Sequence, residues 1–316
     1  MSSNEERREA ARRKLEERLE SERRAARQRK LALISVCSVA VLAAVAVGGY
    51  FYYRHWDNER HTTCEYVKAD HDLGKAAADY QKQLDAAKPN EITPEQRADA
   101  EKYIARLKEG AKLGRTAPKP GDRTLNTGTV DWTLDTNLGN VPIALDRASA
   151  PCNVNAVISL SDNKFYDNTK CHRLAQGNGV FVLQCGDPTL TSSGGPGWSS
   201  PDEDPTDLKE GTPVSPQMVE MGMQGTVVYP RGTVAIANRN NAQQQLFNTG
   251  SSQFFIVTKD TELQPNLAVV GKVSPEGMKV IDKVVAGGID PGPRGSAEDG
   301  TPKTPLEIKK ASVSED

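Results

Sequence analysis

Residues 31–53 (LALISVCSVAVLAAVAVGGYFYY) form a run of 23 residues without one charged side chain. Such a run has few stable places in water. It is too uniformly apolar to be the single stripe of a surface helix. At about 1.5 Å per residue, a helix of this length covers the roughly 30 Å hydrocarbon core of a bilayer. Arg23, Arg24, Arg27, Arg29 and Lys30 precede it, and Tyr50, Tyr52, Tyr53 and Trp56 lie at its far end. Flanking cations hold their side in the cytoplasm, and aromatic rings favour the interface. The expectation is a single-pass cell-membrane protein with its N-terminus cytoplasmic and the bulk of the chain outside. The competing reading is a cleaved signal peptide with Ala44-Val45-Ala46 at the cleavage site. The charged front end and the length of the run favour a signal-anchor.

The span divides the charge. Residues 1–30 carry eleven Arg/Lys and seven Asp/Glu, whereas the rest of the chain carries 29 and 35, although the whole chain is close to neutral at -2. The front end is rich in strong helix formers with opposite charges at helical spacing, which predicts a solvated helix. The acidic remainder argues against nucleic acid as a partner, because that role needs a basic surface.

Residues 54–122 read as a polar stalk. Thr93-Pro94-Glu95-Gln96 has the pattern of a helix start, with Thr as N-cap, Pro at the first helical position and Gln at the third. The predicted helix covers about 94–109, buries a thin stripe of Tyr103, Ile104 and Leu107, and stops at Gly110. Thr116–Gly121 reads as a linker. From Asn126 the texture changes. Val130, Trp132 and Leu134 alternate with polar residues, Asn137-Leu138-Gly139-Asn140 turns, and Val141–Leu145 returns as the second arm of a hairpin. Ser149-Ala150-Pro151 opens a helix through Leu160, and a second helix covers 276–286, ended by Gly287-Gly288. Short strand-like runs lie at 171–175, 181–185, 233–237, 253–258 and 305–310. Many short strands with two helices predict a mainly β domain over 123–316: a closed antiparallel barrel with helices plugging its ends. Residues 189–225 read as a surface loop.

Five cysteines stand at 37, 64, 152, 171 and 185. Cys37 lies in the span. The other four fall outside it, where disulfides persist, and allow three pairings. If 171–174 and 182–185 are adjacent antiparallel strands, Cys171 can face Cys185, leaving Cys64 for Cys152. Free buried thiols are the alternative. No spacing matches a metal site, and no cofactor is expected.

Two segments carry the chemistry. One is Cys171-His172-Arg173-Leu174 running on to Phe181-Val182-Leu183-Gln184-Cys185-Gly186-Asp187; the other is Gly250-Ser251-Ser252-Gln253-Phe254-Phe255-Ile256. They offer one fixed cation, amide side chains and apolar groups, and no nucleophile with its base. That set suits a reaction in which no covalent bond is made or broken.

These strings, together with Gly232–Asn238 and Val269–Val273, resemble the cyclophilins, in the family's order and over nearly all of 126–312. With its anchor and stalk the chain looks most like membrane-attached actinobacterial cyclophilins. The resemblance implies an eight-stranded closed antiparallel barrel capped by two α-helices. It also implies peptidyl-prolyl cis-trans isomerase activity on proline-containing polypeptides, such as secreted or envelope proteins as they fold. By resemblance Arg173, Gln184, Phe181 and Gln253 are catalytic. Arg173 donates to the twisting amide, and the glutamines orient it and bond the substrate backbone. Val182, Phe255, Leu263 and Leu267 line the proline pocket with Phe181, and Ala237 and Asn238 present main-chain groups to the residue before proline. His172 points away from Arg173 if both lie on one strand, and reads as a packed side chain.

The sequence departs from the family pattern at the rim. Leu263 stands where the family has an aromatic residue, usually tryptophan, and Leu267 where it has histidine or tyrosine, so weak cyclosporin binding is expected. Arg239 replaces a small residue, and Asn240–Leu246 is an insertion. The alternative function is a proline-peptide binding module with little turnover; a third is a structural surface protein whose cytoplasmic helix recruits partners.

Overall fold

The computed structural model describes residues 3–315, apart from 89, 90, 216, 218, 220–223 and 292–295. Part of the expected 189–225 loop thus lies outside the described residues. The chain forms two compact units that divide between Glu59 and Arg60.

The first unit is one helix, α1 (Ser3–Glu59). No proline interrupts it, and its first glycine is Gly48, so the charged segment and the apolar run share one continuous helix. It is long and apolar enough to cross a membrane, by length and composition.

In the second unit, eight strands make the body of one sheet. They are β1 (Thr129–Thr136), β2 (Gly139–Asp146), β3 (Arg173–Gly177), β4 (Val180–Cys185), β5 (Thr233–Ile236), β6 (Phe254–Val257), β7 (Val269–Val273) and β8 (Glu307–Ser314). Their order is β3-β4-β6-β5-β7-β2-β1-β8, all antiparallel. Strands Ile289–Asp290 and Asp299–Pro302 extend the sheet beyond β3, and Thr169–Lys170 extends it beyond β8. The expected closed barrel is therefore corrected to a curled, open sheet. The reason lies at the seam. No ladder joins β3 to β8; the chain itself crosses from Thr169–Lys170 through Cys171 and His172 into β3, with Cys171 N donating to Leu306 O at 3.0 Å.

Alternation fills the concave side. Val130, Trp132 and Leu134 on β1 and Val141, Ile143 and Leu145 on β2 are all buried, and their neighbours face outward. Trp132 meets Phe254 and Tyr166 at ring-centroid distances of 4.9 and 5.6 Å. Two helices, α4 (Pro151–Asp162) and α5 (Pro275–Gly287), add Val154, Val157 and Leu160, and Met278, Ile281 and Val284, to the same core. Ala150 has no side chain with which to cap α4. Glu203 does so from across the fold, accepting from Cys152 N at 2.9 Å and Asn153 N at 2.8 Å. Gly288, at φ +80, ends α5.

Residues 60–122, read above as a stalk and linker, belong to this second unit. Helices α2 (Leu73–Ala86) and α3 (Pro94–Leu113) pack through Leu73, Ala77, Leu84, Ile104 and Leu107. His61–Thr63 pairs with Arg123–Leu125, and Val67–Lys68 with Trp198–Ser199. Tyr66 is buried and donates to Cys152 O at 2.8 Å. Thr93 and Gln96 form the reciprocal cap expected of them. Yet α3 continues three residues past Gly110, because this glycine is a contact and not a stop. A Cβ there would come within 2.5 Å of Thr191 Cγ2.

Cys64 is bonded to Cys152, and Cys171 to Cys185, which fixes one of the three pairings that the sequence left open.

Candidate active site

The site grows out of sheet register. Arg173 lies opposite Gln184, Ala175 opposite Val182, and Phe255 opposite Gln184. Cross-strand partners share a face, and successive residues alternate. Arg173, Ala175, Val182, Gln184, Gln253 and Phe255 therefore stand together on the convex face, while Leu174, Leu183, Phe254 and Ile256 turn into the core.

A relay of side chains runs across that face. Arg173 Nη1 donates to Gln184 Oε1 at 3.2 Å, Gln184 Nε2 donates to Gln253 Oε1 at 2.9 Å, and Gln253 Nε2 donates to Gly194 O at 3.0 Å. The guanidinium also grips Asp299, with Nε to Oδ1 at 2.8 Å and Nη2 to Oδ2 at 2.6 Å. Beside the relay lies an apolar cluster separate from the main core. Ala175, Val182, Tyr229, Ala235, Phe255 and Val257 are buried in it, and Ala237, Leu263 and Leu267 pack against it. A cation with directed donors beside an apolar surface can hold a prolyl ring and donate to an amide that has lost its resonance.

Three further expected residues have partners of their own. Phe181 occupies the opposite face of β4 from Val182 and Gln184, since strand alternation separates them. Its ring carries Lys259 Nζ at 4.7 Å, and it is absent from the apolar cluster. Ala237 N is already committed to Gln253 O at 2.9 Å. Asn238 uses its side chain to donate to Asn266 O at 2.6 Å, tying down the segment that bears Leu263 and Leu267.

His172 is buried, and neither ring nitrogen has a hydrogen-bond partner. Desolvation lowers its pKa from 6.5 to about 4; Asp187 opposes this, and Arg106 and Arg173 reinforce it. An unfolded chain takes up a proton near pH 6.5 that the folded chain refuses until about pH 4. Stability therefore falls as pH drops through that window, by on the order of 3 kcal/mol. Urea unfolding of His172→Gln should show a flatter dependence between those two pH values; an unchanged slope would assign it to other groups.

Three further participants carry no local mark in the sequence. Asp299 is 126 residues from Arg173, and nothing local marks it. Tyr229 supports the rim from below, its hydroxyl donating to Gln264 O at 3.0 Å, with its ring 6.4 Å from that of Phe255. Gly194 anchors the relay from a loop wound around the buried Asp187. That carboxylate accepts from Thr189 N at 2.8 Å, Thr191 N at 3.2 Å and Gly194 N at 3.2 Å. Leu190 and Ser192 in the same loop hold positive φ of 60° and 64°. The helical hairpin grips this loop from outside. Arg106 Nη2 donates to Leu190 O, and Gly197 N donates to His71 Nδ1 at 3.2 Å. The asparagine side chains of strained loops give a readable signal; leucine and serine at positive φ give none.

Among the described residues, no group of three His, Cys, Asp or Glu side chains is placed to hold a metal.

A family profile described as cyclophilin type peptidyl-prolyl cis-trans isomerase/CLD matches residues 130–313. The probable peptidyl-prolyl cis-trans isomerase B of Mycobacterium leprae is 38% identical over 192 residues, covering 61% of this chain and 59% of that protein. Its counterpart in Mycobacterium tuberculosis is 38% identical over 197 residues, covering 62% and 57%. The chain thus spans less than two thirds of the length of these mycobacterial relatives. A peptidyl-prolyl cis-trans isomerase of Helicobacter pylori is 31% identical over 159 residues, covering 50% of this chain and 81% of that protein. With the profile spanning β1 to β8, the chain belongs to the cyclophilin-type peptidyl-prolyl cis-trans isomerase family.

Proposed function

We propose that the chain accelerates rotation about Xaa-Pro peptide bonds, acting from the outer side of a membrane on secreted or envelope polypeptides. The observation that carries this reading is the relay from Gly194 through Gln253 and Gln184 to Arg173, set beside the apolar cluster of Val182 and Phe255.

Twisting the amide removes its resonance, at a barrier of about 18–20 kcal/mol. The prolyl nitrogen becomes pyramidal and basic. A catalyst need only bind that twisted form better than either planar one. The prolyl ring rests on Val182 and Phe255, with Leu263 and Leu267 at the rim. Arg173 donates to the nitrogen or the adjacent carbonyl, and Gln184 and Gln253 fix its direction. Donors placed in advance do not reorganise as the charge develops. Phe181 supports this site through β4 and does not touch the ring. With leucine at both rim positions, cyclosporin binds weakly. Residues 31–53 anchor the chain, with residues 1–30 on the cytoplasmic side.

The full chain in detergent micelles should catalyse exchange of an Ala-Pro or Gly-Pro peptide, read by NMR exchange spectroscopy, with cyclosporin inhibiting poorly. Peptide binding without faster exchange would leave a proline-peptide binding module in its place.

A further inference from the structure

The bidentate grip of Asp299 on Arg173 stands apart from the glutamine relay. Asp299 begins the strand Asp299–Pro302, which pairs with β3 so that Asp299 lies opposite Ala175 and Gly300 opposite Leu174. Asp299 therefore shares the face of Ala175, and Arg173, two residues along, is its diagonal neighbour.

The Asp299 backbone is itself held. Ser296 N donates to Asp299 O at 2.8 Å, and Asp299 N to Ser296 O at 3.2 Å. Gln176 N donates to Glu298 O at 2.8 Å. Gly300 lies so near the next strand that a Cβ would meet Asp290 O at 2.2 Å. The carboxylate is thus presented from a built corner and does not hang from a loose loop.

A guanidinium has five N–H donors in one plane. Asp299 engages two of them and Gln184 one, which leaves two, both pointing in directions set by the other three. Without Asp299, the single 3.2 Å bond to Gln184 would have to orient the whole group. We propose that Asp299 is a positioning residue for Arg173: it fixes the plane of the guanidinium so that the two remaining donors face the twisted prolyl amide. This rests on the isomerase reading above.

The pair is part-exposed, at 37% for Arg173 and 43% for Asp299. Exposed ion pairs of this kind add little to stability. Loss of the carboxylate should therefore spare the fold and show itself in turnover. The apolar cluster, and not Asp299, carries the prolyl ring, so the effect belongs in kcat rather than in KM.

The test uses the full chain in detergent. Asp299→Asn keeps shape and one acceptor, but loses the charge and the two-point grip. Its kcat should fall about five- to tenfold with KM within about twofold, the size expected when a reacting group loses its orientation. Asp299→Glu should recover part of the loss. The 15N–1H signal of Arg173 Nε should lie downfield in the wild type and move upfield in Asp299→Asn, which reads the pairing without turnover. An unchanged or raised kcat in Asp299→Asn, beside an active wild type, overturns the proposal, and so does a rise confined to KM. A wild type with no turnover overturns the isomerase reading first and this role with it; the wild-type rate alone separates the two failures.

Discussion

Arg173→Ala is expected to lower the turnover of an Xaa-Pro peptide at least tenfold and to leave the fold intact. Each factor of ten corresponds to about 1.4 kcal/mol of the rotation barrier. One charged donor meeting a nitrogen that is basic only when twisted readily supplies that much, because a hydrogen bond to a charged group contributes roughly 1.5–3 kcal/mol. The stability cost should be small for a reason visible in the structure. Of the partners left behind, the Asp299 carboxylate is 43% exposed, and the buried Gln184 lies under an Arg173 side chain that is itself 37% exposed, so removing that side chain opens both to water. Arg173→Lys should fall between the two, since an ammonium cannot engage Asp299 at two points while still reaching Gln184. The measurement is NMR exchange of the peptide at equal concentrations of folded protein, with circular dichroism as the check on folding. Turnover within twofold of wild type would remove Arg173 from the mechanism.

The largest expected change in stability comes from Cys64 and Cys152. Their bond links positions 88 residues apart. On the chain-entropy view, closing a loop of that length stabilises the native state by about 4–5 kcal/mol, against about 3 kcal/mol for the 14-residue separation of Cys171 and Cys185. The Cys64→Ser, Cys152→Ser double variant should therefore lose about 4 kcal/mol and melt roughly 10–15 °C lower. Turnover should fall as well, at temperatures where the fold survives. The bond tethers the start of the segment bearing α2 and α3, and that hairpin holds the 187–197 loop through Arg106 and His71. A loosened hairpin frees Gly194, and with it the far end of the relay. Thermal and urea unfolding under non-reducing conditions decide the first point. A loss below about 1 kcal/mol would mean that Tyr66, Trp198 and the short strand pairs hold the hairpin by packing alone.

The parts of the molecule that were legible in sequence share a physical property: their signal is local. The hairpin of β1 and β2 shows in alternation and a turn. The start of α3 shows in Thr93–Gln96, four residues whose first and last form a cap without outside help. The Arg173, Gln184 and Gln253 set lies inside two short strings that strand register brings side by side. What failed to show depends on pairs far apart in the chain. The packing of residues 60–122 on the sheet rests on Cys64 with Cys152, and on Val67–Lys68 with Trp198–Ser199, and neither partner announces the other. Gly110 reads as a helix stop, since nothing nearby reveals that Thr191 will press against it. Phe181 stands apart from both groups. The motif names it as a pocket residue, whereas the alternation of β4 puts it on the other side of the strand from Val182.

The pairing of β1 with β8 has a consequence for how the molecule is made. Trp132 lies opposite Val313, and Leu134 opposite Ala311. The first long strand of the sheet thus waits for the last, with almost the whole domain synthesised in between. Contacts so distant in sequence slow folding, because the intervening chain must be ordered before they form. Until residues 307–314 have emerged, a nascent chain displays β1 as an unpaired edge, next to a Trp132 that has no finished core to enter, and such edges invite foreign strands. A domain of this architecture is a slow, non-local folder during its own synthesis.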